Sequence, residues 1–298
     1  MRRVSFPAPT STEKQAVSIS TIAIGPLAAE HLPQAHALSR AVGWPHRLED
    51  WALVLKLGRG FAALSDGELV GTILWWPFGE RHATLGMVMV APAMQGRGLG
   101  RRLMQTALED AGSRAVLLNA TAEGLPLYEK LGFRAIGAVR QHQAAGALPA
   151  IAAAPQGTRL RRLAAADREA VVALDARAAG FGRAGMLNAL AELGQILGLD
   201  RDGHLVGFAV FRRFGRGYVI GPVVAEEANG AEALIAGWIA GHRSDFLRID
   251  VPGSSGLSPW LEGQGLPQVG EVVTMVRGDA PVTPDAPRLF ALASQALG

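Results

Sequence analysis

Residues Ala91–Met104 read Ala-Pro-Ala-Met-Gln-Gly-Arg-Gly-Leu-Gly-Arg-Arg-Leu-Met. An apolar β-rich run over 82–90 precedes them, and a helical pattern over 98–112 follows. Strand, glycine turn and helix in that order make an anion site. Gly96, Gly98 and Gly100 lack the Cβ that would hold a ligand off the backbone. The first N–H groups of a helix have no intrahelical partner, and the helix dipole adds positive potential there. Two linked phosphates fit such a mouth, and Arg97, Arg101 and Arg102 bring further charge. The commoner phosphate turns are excluded by spacing. Gly96-x-Gly98-x-Gly100 is not G-x-G-x-x-G, no acidic residue closes a second strand about twenty residues on, and the Gly-Lys-Ser/Thr of a Walker loop is absent. A plain glycine-rich turn opening a surface helix has the same local pattern.

Such a turn needs a strand and a helix to aim it, and the chain spells out the framework twice. Asp66-Gly67-Glu68-Leu69-Val70-Gly71 is followed by Phe78-Gly79, and Asp202-Gly203-His204-Leu205-Val206-Gly207 by Phe214-Gly215, at the same spacing. Each Asp-Gly predicts a tight hairpin turn between apolar strands. Leu85–Ala91 likewise resembles Ile220–Ala225. The first copy reads as strand 18–24, helices 27–42 and 47–57, a hairpin over 60–76, strand 82–90, helix 98–112, strand 114–119, helix 124–131 and strand 133–139. The second reads as strand 158–162, helices 165–178 and 184–194, a hairpin, strand 217–224, helix 228–241, strand 246–251, helix 256–262 and strand 268–276. A last short helix is expected at 288–296. Between the copies, 144–157 is rich in Ala, Pro and Gly without a period and reads as a linker.

Composition narrows the class. The 298 residues are 49% hydrophobic, enough for two cores. There is no cysteine, which removes disulfides, thiolate metal sites and thiol catalysis. A net charge of +3 without a long Lys/Arg run argues against nucleic acid as a partner. No apolar run is long enough to cross a membrane. The basic start lacks the apolar core of a signal peptide, so a cytoplasmic protein is expected, with a polar disordered tail over 1–17.

Val88–Arg101 resembles motif A of the GNAT superfamily, whose Gln/Arg-x-x-Gly-x-Gly/Ala core appears as Gln95-x-x-Gly98-x-Gly100. Leu127-Tyr128-Glu129-Lys130-Leu131-Gly132-Phe133 resembles that superfamily's motif B at the expected distance. The resemblance covers about 18–140 well, and the whole chain more loosely resembles tandem-GNAT acetyltransferases. It implies an α/β (α+β) fold of two GNAT-like domains, each a mixed, mostly antiparallel twisted sheet flanked by helices. The catalytic domain would span 18–143, with a linker over 144–157 and a degenerate domain over 158–298. It further implies acetyl-CoA as co-substrate, no metal, and direct acetyl transfer to a primary amine of a small molecule.

The same resemblance distributes roles. The coenzyme would lie against Val88, Val90, Gln95, Gly96, Arg97, Gly98, Leu99, Gly100 and Arg101. Backbone N–H near Val88 or Met89 would polarise the thioester carbonyl, a contribution of about 3–4 kcal/mol to an oxyanion. Tyr128 would protonate the leaving thiolate, or else only pack motif B on the sheet. The family often has Asn seven residues before this tyrosine. Thr121 stands there, with Asn119 two residues earlier, and either side chain could reach the pantetheine. Many relatives carry a Glu base on strand four, which is missing from His82–Val88. His82, Glu49 and Asp50 are the remaining candidates to take the proton or bind a cationic amine, and a helix N-terminus also favours such acids. Trp44 and Trp51 suggest an apolar acceptor surface or core packing.

At the place of the phosphate turn the second copy reads Ala225-Glu226-Glu227-Ala228-Asn229-Gly230, whose carboxylates would repel a pyrophosphate. Near the tyrosine's place stands Trp260, which has no acid to give. One site per chain is expected, in a monomer or homodimer, with a fragment over 1–145 still binding the coenzyme but losing stability or acceptor selectivity. Two other functions fit the motifs: a non-catalytic acyl-CoA-binding or sensing protein, and a nicotinamide or nucleotide enzyme built on the glycine turn.

Overall fold

The Asp-Gly pairs form the hairpins their chemistry demands. Asp66 and Gly67 have φ of 50° and 83°, and Asp202 and Gly203 have 49° and 79°, the paired positive values of a two-residue turn that matches strand twist. The computed structural model describes residues 22–146 and 153–298. The proposed tail over 1–17 and the core of the proposed linker lie outside the described residues. The strand expected at 18–24 is described only from Ala23, as β1 (Ala23–Pro26).

The first copy continues through α1 (Leu32–Ala41), α2 (Leu48–Leu57), β2 (Arg59–Ser65), β3 (Glu68–Phe78), β4 (His82–Val90), α3 (Leu99–Ala111), β5 (Ala115–Ala120), α4 (Leu125–Lys130) and β6 (Arg134–Ala145). The second copy repeats the order as β7 (Thr158–Arg162), α5 (Arg168–Ala179), α6 (Ala184–Leu193), β8 (Gly194–Arg201), β9 (His204–Phe214), β10 (Gly217–Ala225), α7 (Ala228–Gly241), β11 (Phe246–Pro252), α8 (Ser258–Gly263) and β12 (Gln268–Arg277).

All these strands lie in one sheet of order β1-β2-β3-β4-β5-β12-β6-β11-β10-β9-β8-β7. The order is symmetric about the β12–β6 pair, and each copy has given its last strand to the other. β12 sets Thr274 opposite Asn119 of β5, and β6 sets Gln141 opposite Asp250 of β11. Strand β6 runs six residues beyond the expected strand, because its far half pairs with the second copy. The two copies therefore share backbone ladders as well as side-chain contacts.

Helices cover both faces. On one, α1, α2, α5 and α6 close a core common to both copies, with Trp51, Leu74, Leu190 and Phe208 buried in it. On the other, α3 and α4 cover the first copy and α7 and α8 the second, over separate cores. The buried positions of α3, Leu99, Leu103, Met104, Ala107, Leu108 and Ala111, follow helical periodicity. Burying a side chain such as Leu103 contributes about 1.5–3 kcal/mol, which holds the mouth of α3 in place against the sheet.

The helix expected at 288–296 does not form. Arg288–Ala291 is instead a strand, β13, antiparallel to β10. The run Leu289-Phe290-Ala291-Leu292-Ala293 is too short for periodicity to separate helix from buried strand. An open β10 edge supplies the hydrogen bonds that decide it.

Candidate active site

At the start of α3 the turn is shaped by glycine. Gly96 and Gly98 have φ of 73° and 81°, and a Cβ at either would meet nothing within 4 Å. Backbone conformation, not space, therefore requires glycine there. The Arg102 N–H reaches the Gly98 carbonyl at 3.1 Å, so the N–H groups of Leu99, Gly100 and Arg101 precede the first helical hydrogen bond. Arg97 and Arg101 are exposed at this mouth. Arg102 donates to the Ile22 carbonyl at 3.1 Å and ties α3 to the chain entering β1. The Gln95 amide donates to the Val90 carbonyl at 3.1 Å, which folds the turn back on β4 and engages that carbonyl.

Next to the turn the sheet opens. β4 and β5 pair only over His82–Thr84 with Ala115–Leu117. Beyond Thr84 the strands part. A bulge at Met87, with φ of 54°, displaces the register of β4 against β3, and the Thr72 hydroxyl holds it by donating to the Met87 carbonyl at 2.8 Å. No described strand pairs the β5-facing edge of β4 from Leu85 to Val90. An exposed ladder beside a helix mouth fits an extended ligand ending in phosphates.

Tyr128 stands on α4 over the far side of the opening. Gly124 makes room for it, since a Cβ there would press on the ring. Phe133 meets the ring edge-on at 6.1 Å. Burial pushes the Tyr128 phenol up to about 12, so it keeps its proton at any physiological pH.

Trp44, Val88, Thr121 and Tyr128 line one cavity of about 310 Å³. Asn119 lines it too, but its amide is engaged at both ends: Nδ2 donates to the Gln295 carbonyl at 2.8 Å, and Oδ1 accepts from Thr274 at 2.9 Å. Met89 points into the shared core, so only its backbone remains available.

Three sequence candidates are elsewhere. His82 sits at the closed end of the β4–β5 pair, stacked on Phe181 with ring centroids 5.1 Å apart. Glu49 is exposed on the first turn of α2. Asp50 is buried, accepting two hydrogen bonds from the Arg47 guanidinium and the Gly215 N–H at 2.9 Å. Burial works to raise its carboxyl, but Arg47 and those backbone donors outweigh it and hold the group low. Asp50 thus fastens α2 to the turn between β9 and β10, and Trp51 beside it is core.

Other residues of the cavity escaped the sequence reading. His46 follows Trp44 and faces Trp44, Trp51 and Phe214 at centroid distances of 5.8, 6.4 and 5.6 Å. Burial pushes its imidazole down to about 4; Asp50 opposes this, while Arg248 and Arg212 add to it. His46 is therefore neutral at pH 7, and its Nδ1 is buried without a partner among the described residues. Gln141 and Gln143 enter from β6, and Arg216 and Arg248 from the second copy. Ser294, Gln295 and Ala296 form a further wall, following β13. No local signal marks these seven, because strand exchange, tail docking and the approach of the second copy's β9–β10 turn bring them in.

The second copy opens in the same way and is plugged. β10 pairs β11 only at Tyr218 and Val219, and into the gap runs β13, which pairs Ala291, Leu289 and Arg288 with Val223, Val224 and Ala225. Leu292 completes the wedge by donating to the Asp250 carbonyl at 2.8 Å. The β10 segment Val223–Ala225 is the counterpart of Val88–Val90. The counterpart of Tyr128 is Leu261 rather than Trp260, because the Leu266 N–H closes on the Leu261 carbonyl as Phe133 closes on Tyr128.

Comparison with known proteins agrees with this geometry. Residues 29–133 match the acetyltransferase (GNAT) family, and residues 171–291 match an acetyltransferase (GNAT) domain. The chain is 30% identical over 276 residues to the uncharacterised N-acetyltransferase YitH of Bacillus subtilis, covering 90% of this chain and 96% of that one. It is 26% identical over 288 residues to the holothin acyltransferase of a Pseudoalteromonas, covering 85% and 93%. In fold it is similar to a crystal structure described as an acetyltransferase of Pyrococcus horikoshii, with a TM-score of 0.78 and 18% identity over 97% of this chain and 100% of that one. With both halves matched and a relative aligned along nearly its whole length, the chain belongs to the GNAT acetyltransferase family and carries two GNAT domains in tandem.

Proposed function

We propose that the first copy holds the chain's one active site, which binds acetyl-CoA and passes its acetyl group directly to a primary amine of a small molecule. The observation that carries this reading is the convergence of three features on one opening: the glycine mouth of α3, the unpaired edge of β4, and Tyr128. The mouth of α3 and the exposed Arg97 and Arg101 would hold the pyrophosphate. The β4 edge would pair with the pantetheine, and backbone N–H beside the Met87 bulge would polarise the thioester carbonyl. The second copy, with β13 in its opening and Leu261 in place of a phenol, serves as scaffold and wall.

The amine attacks the carbonyl carbon, the C–N bond forms, the C–S bond breaks, and the amine's proton leaves to water. Tyr128 donates its proton to the departing sulfur and recovers one from solvent. A thiol near 8.5 in water looks a poor match for a phenol at about 12. The burial that raises the phenol also raises a thiol released beside it, so the gap narrows in place. Neutral His46, with its low basicity, can accept a hydrogen bond from the amine but is a weak proton sink. The holothin acyltransferase, by its name, transfers an acyl group to holothin. The test is thiol release from acetyl-CoA with a panel of amines. Amine-dependent release that disappears with a glutamate at Gly98 supports the reading, and saturable coenzyme binding without release from any amine overturns it.

A further inference from the structure

Resting on that transferase reading, the cavity also carries information about its acceptor. Its walls include two charged side chains, Arg216 and Arg248, and no Asp or Glu among the described residues. Arg216 is exposed and makes no ion pair among the described residues, lying only over the Phe246 ring at 5.9 Å. Arg248 is three-quarters or more buried and forks onto buried Asp250, with Nε at 3.0 Å and Nη2 at 3.1 Å, which leaves Nη1 outside the fork. Asp250 is thereby matched by one guanidinium, and the wall keeps a surplus positive charge from Arg216. Buried Arg212 donates to the Ala293 carbonyl at 2.9 Å, next to Ser294 of the wall, and feels the opposing charges of Asp50 and Asp250. The other polar walls, among them Gln141, Gln143, Asn119 and Ser294, are uncharged, as is neutral His46.

We propose that the acceptor is an amine that carries its own carboxylate, docked on Arg216 and Arg248 across from Tyr128. A guanidinium presents paired donors that match a carboxylate. A polyamine or any acceptor with a second ammonium would meet like charge with nothing to offset it. The same field disfavours an ammonium relative to a free amine at the reacting nitrogen. It thus does part of the work of the base that β4 lacks. A cavity of about 310 Å³ that also admits the acetyl group leaves room for a molecule of amino-acid size.

The experiment compares α- and ω-amino acids with their own carboxamides as acceptors, using the full chain and acetyl-CoA and following thiol release. An α-amino amide has the less basic amine and would win on amine availability alone, so preference for the acid isolates the carboxylate. The acids are expected to exceed their amides at least tenfold in kcat/KM. Arg216→Gln should raise KM for the acids about tenfold and pull the acid-to-amide ratio toward one, while Arg243→Gln, at an exposed position outside the cavity walls, keeps the ratio. Amides or diamines used as well as the acids, or a ratio indifferent to Arg216→Gln, overturns this inference and leaves the transferase standing. Release with no amine of any charge overturns both.

Discussion

Tyr128 and Leu261 hold the same place in the two copies. The Phe133 N–H donates to the Tyr128 carbonyl at 3.1 Å, and the Leu266 N–H donates to the Leu261 carbonyl at 2.9 Å. Each closure follows a glycine in the left-handed region, Gly132 at 85° and Gly265 at 82°, the usual way to end a helix on its own carbonyls. One backbone device therefore presents a phenol to one opening and an aliphatic side chain to the other. The apolar replacement suits a gap already filled by β13.

The phenol's role is separable from its packing. Tyr128→Phe keeps the ring against Phe133 and should fold normally. Turnover is expected to fall about 100-fold or more, within the range of a lost general acid, with KM for acetyl-CoA little changed. Because burial holds the group near 12, no alkaline limb from Tyr128 should appear below about pH 11. A Phe variant with full turnover would remove the residue from the mechanism.

His46 makes the fold acid-sensitive. Its folded value is lowered from 6.5 to about 4, so the unfolded chain binds the proton first as pH falls. The stability it contributes is fully present above pH 6.5 and is lost as pH drops toward 4, by about 3 kcal/mol at the end. His46→Phe keeps an aromatic ring among Trp44, Trp51 and Phe214. Thermal melts of that variant should lose several degrees less than the parent between pH 7 and 4.5. Equal losses would contradict the burial of a neutral imidazole.

Strand exchange governs what a fragment can do. A chain ending near residue 146 lacks β12, which lies between β5 and β6 in the first copy's sheet, and leaves two long edges open. Contrary to the sequence-based expectation for 1–145, it should aggregate or stay unfolded. Co-expressed halves divided in the 147–152 segment should copurify and release thiol. A soluble, coenzyme-binding first half on its own would contradict the shared ladder as a source of stability.

Local chemistry was legible in the sequence and distant pairing was not. The Asp-Gly hairpins, the α3 glycine turn and the repeated order of elements depend on neighbours within a few residues. His82 was misplaced because a strand's identity does not say where its neighbour diverges, and β4 leaves β5 after Thr84. Asp50 falls in the segment that walls the acceptor pocket in the resembled family, whereas Arg47 and the Gly215 N–H, 165 residues away, hold it. The fate of 288–296 was hidden for the same reason. Its partner, β10, lies more than sixty residues back, and only the gap beside that strand turns an ambiguous apolar run into β13.

The central claim is one coenzyme site per chain, at the mouth of α3. Calorimetric titration of the full chain with coenzyme A tests it, with Gly98→Val as the control. Valine at φ of 81° is strained and shifts the amides at the mouth. One equivalent bound per chain, weakened at least tenfold by Gly98→Val, is the predicted result. Two equivalents, or a single site that Gly98→Val leaves untouched, would contradict it.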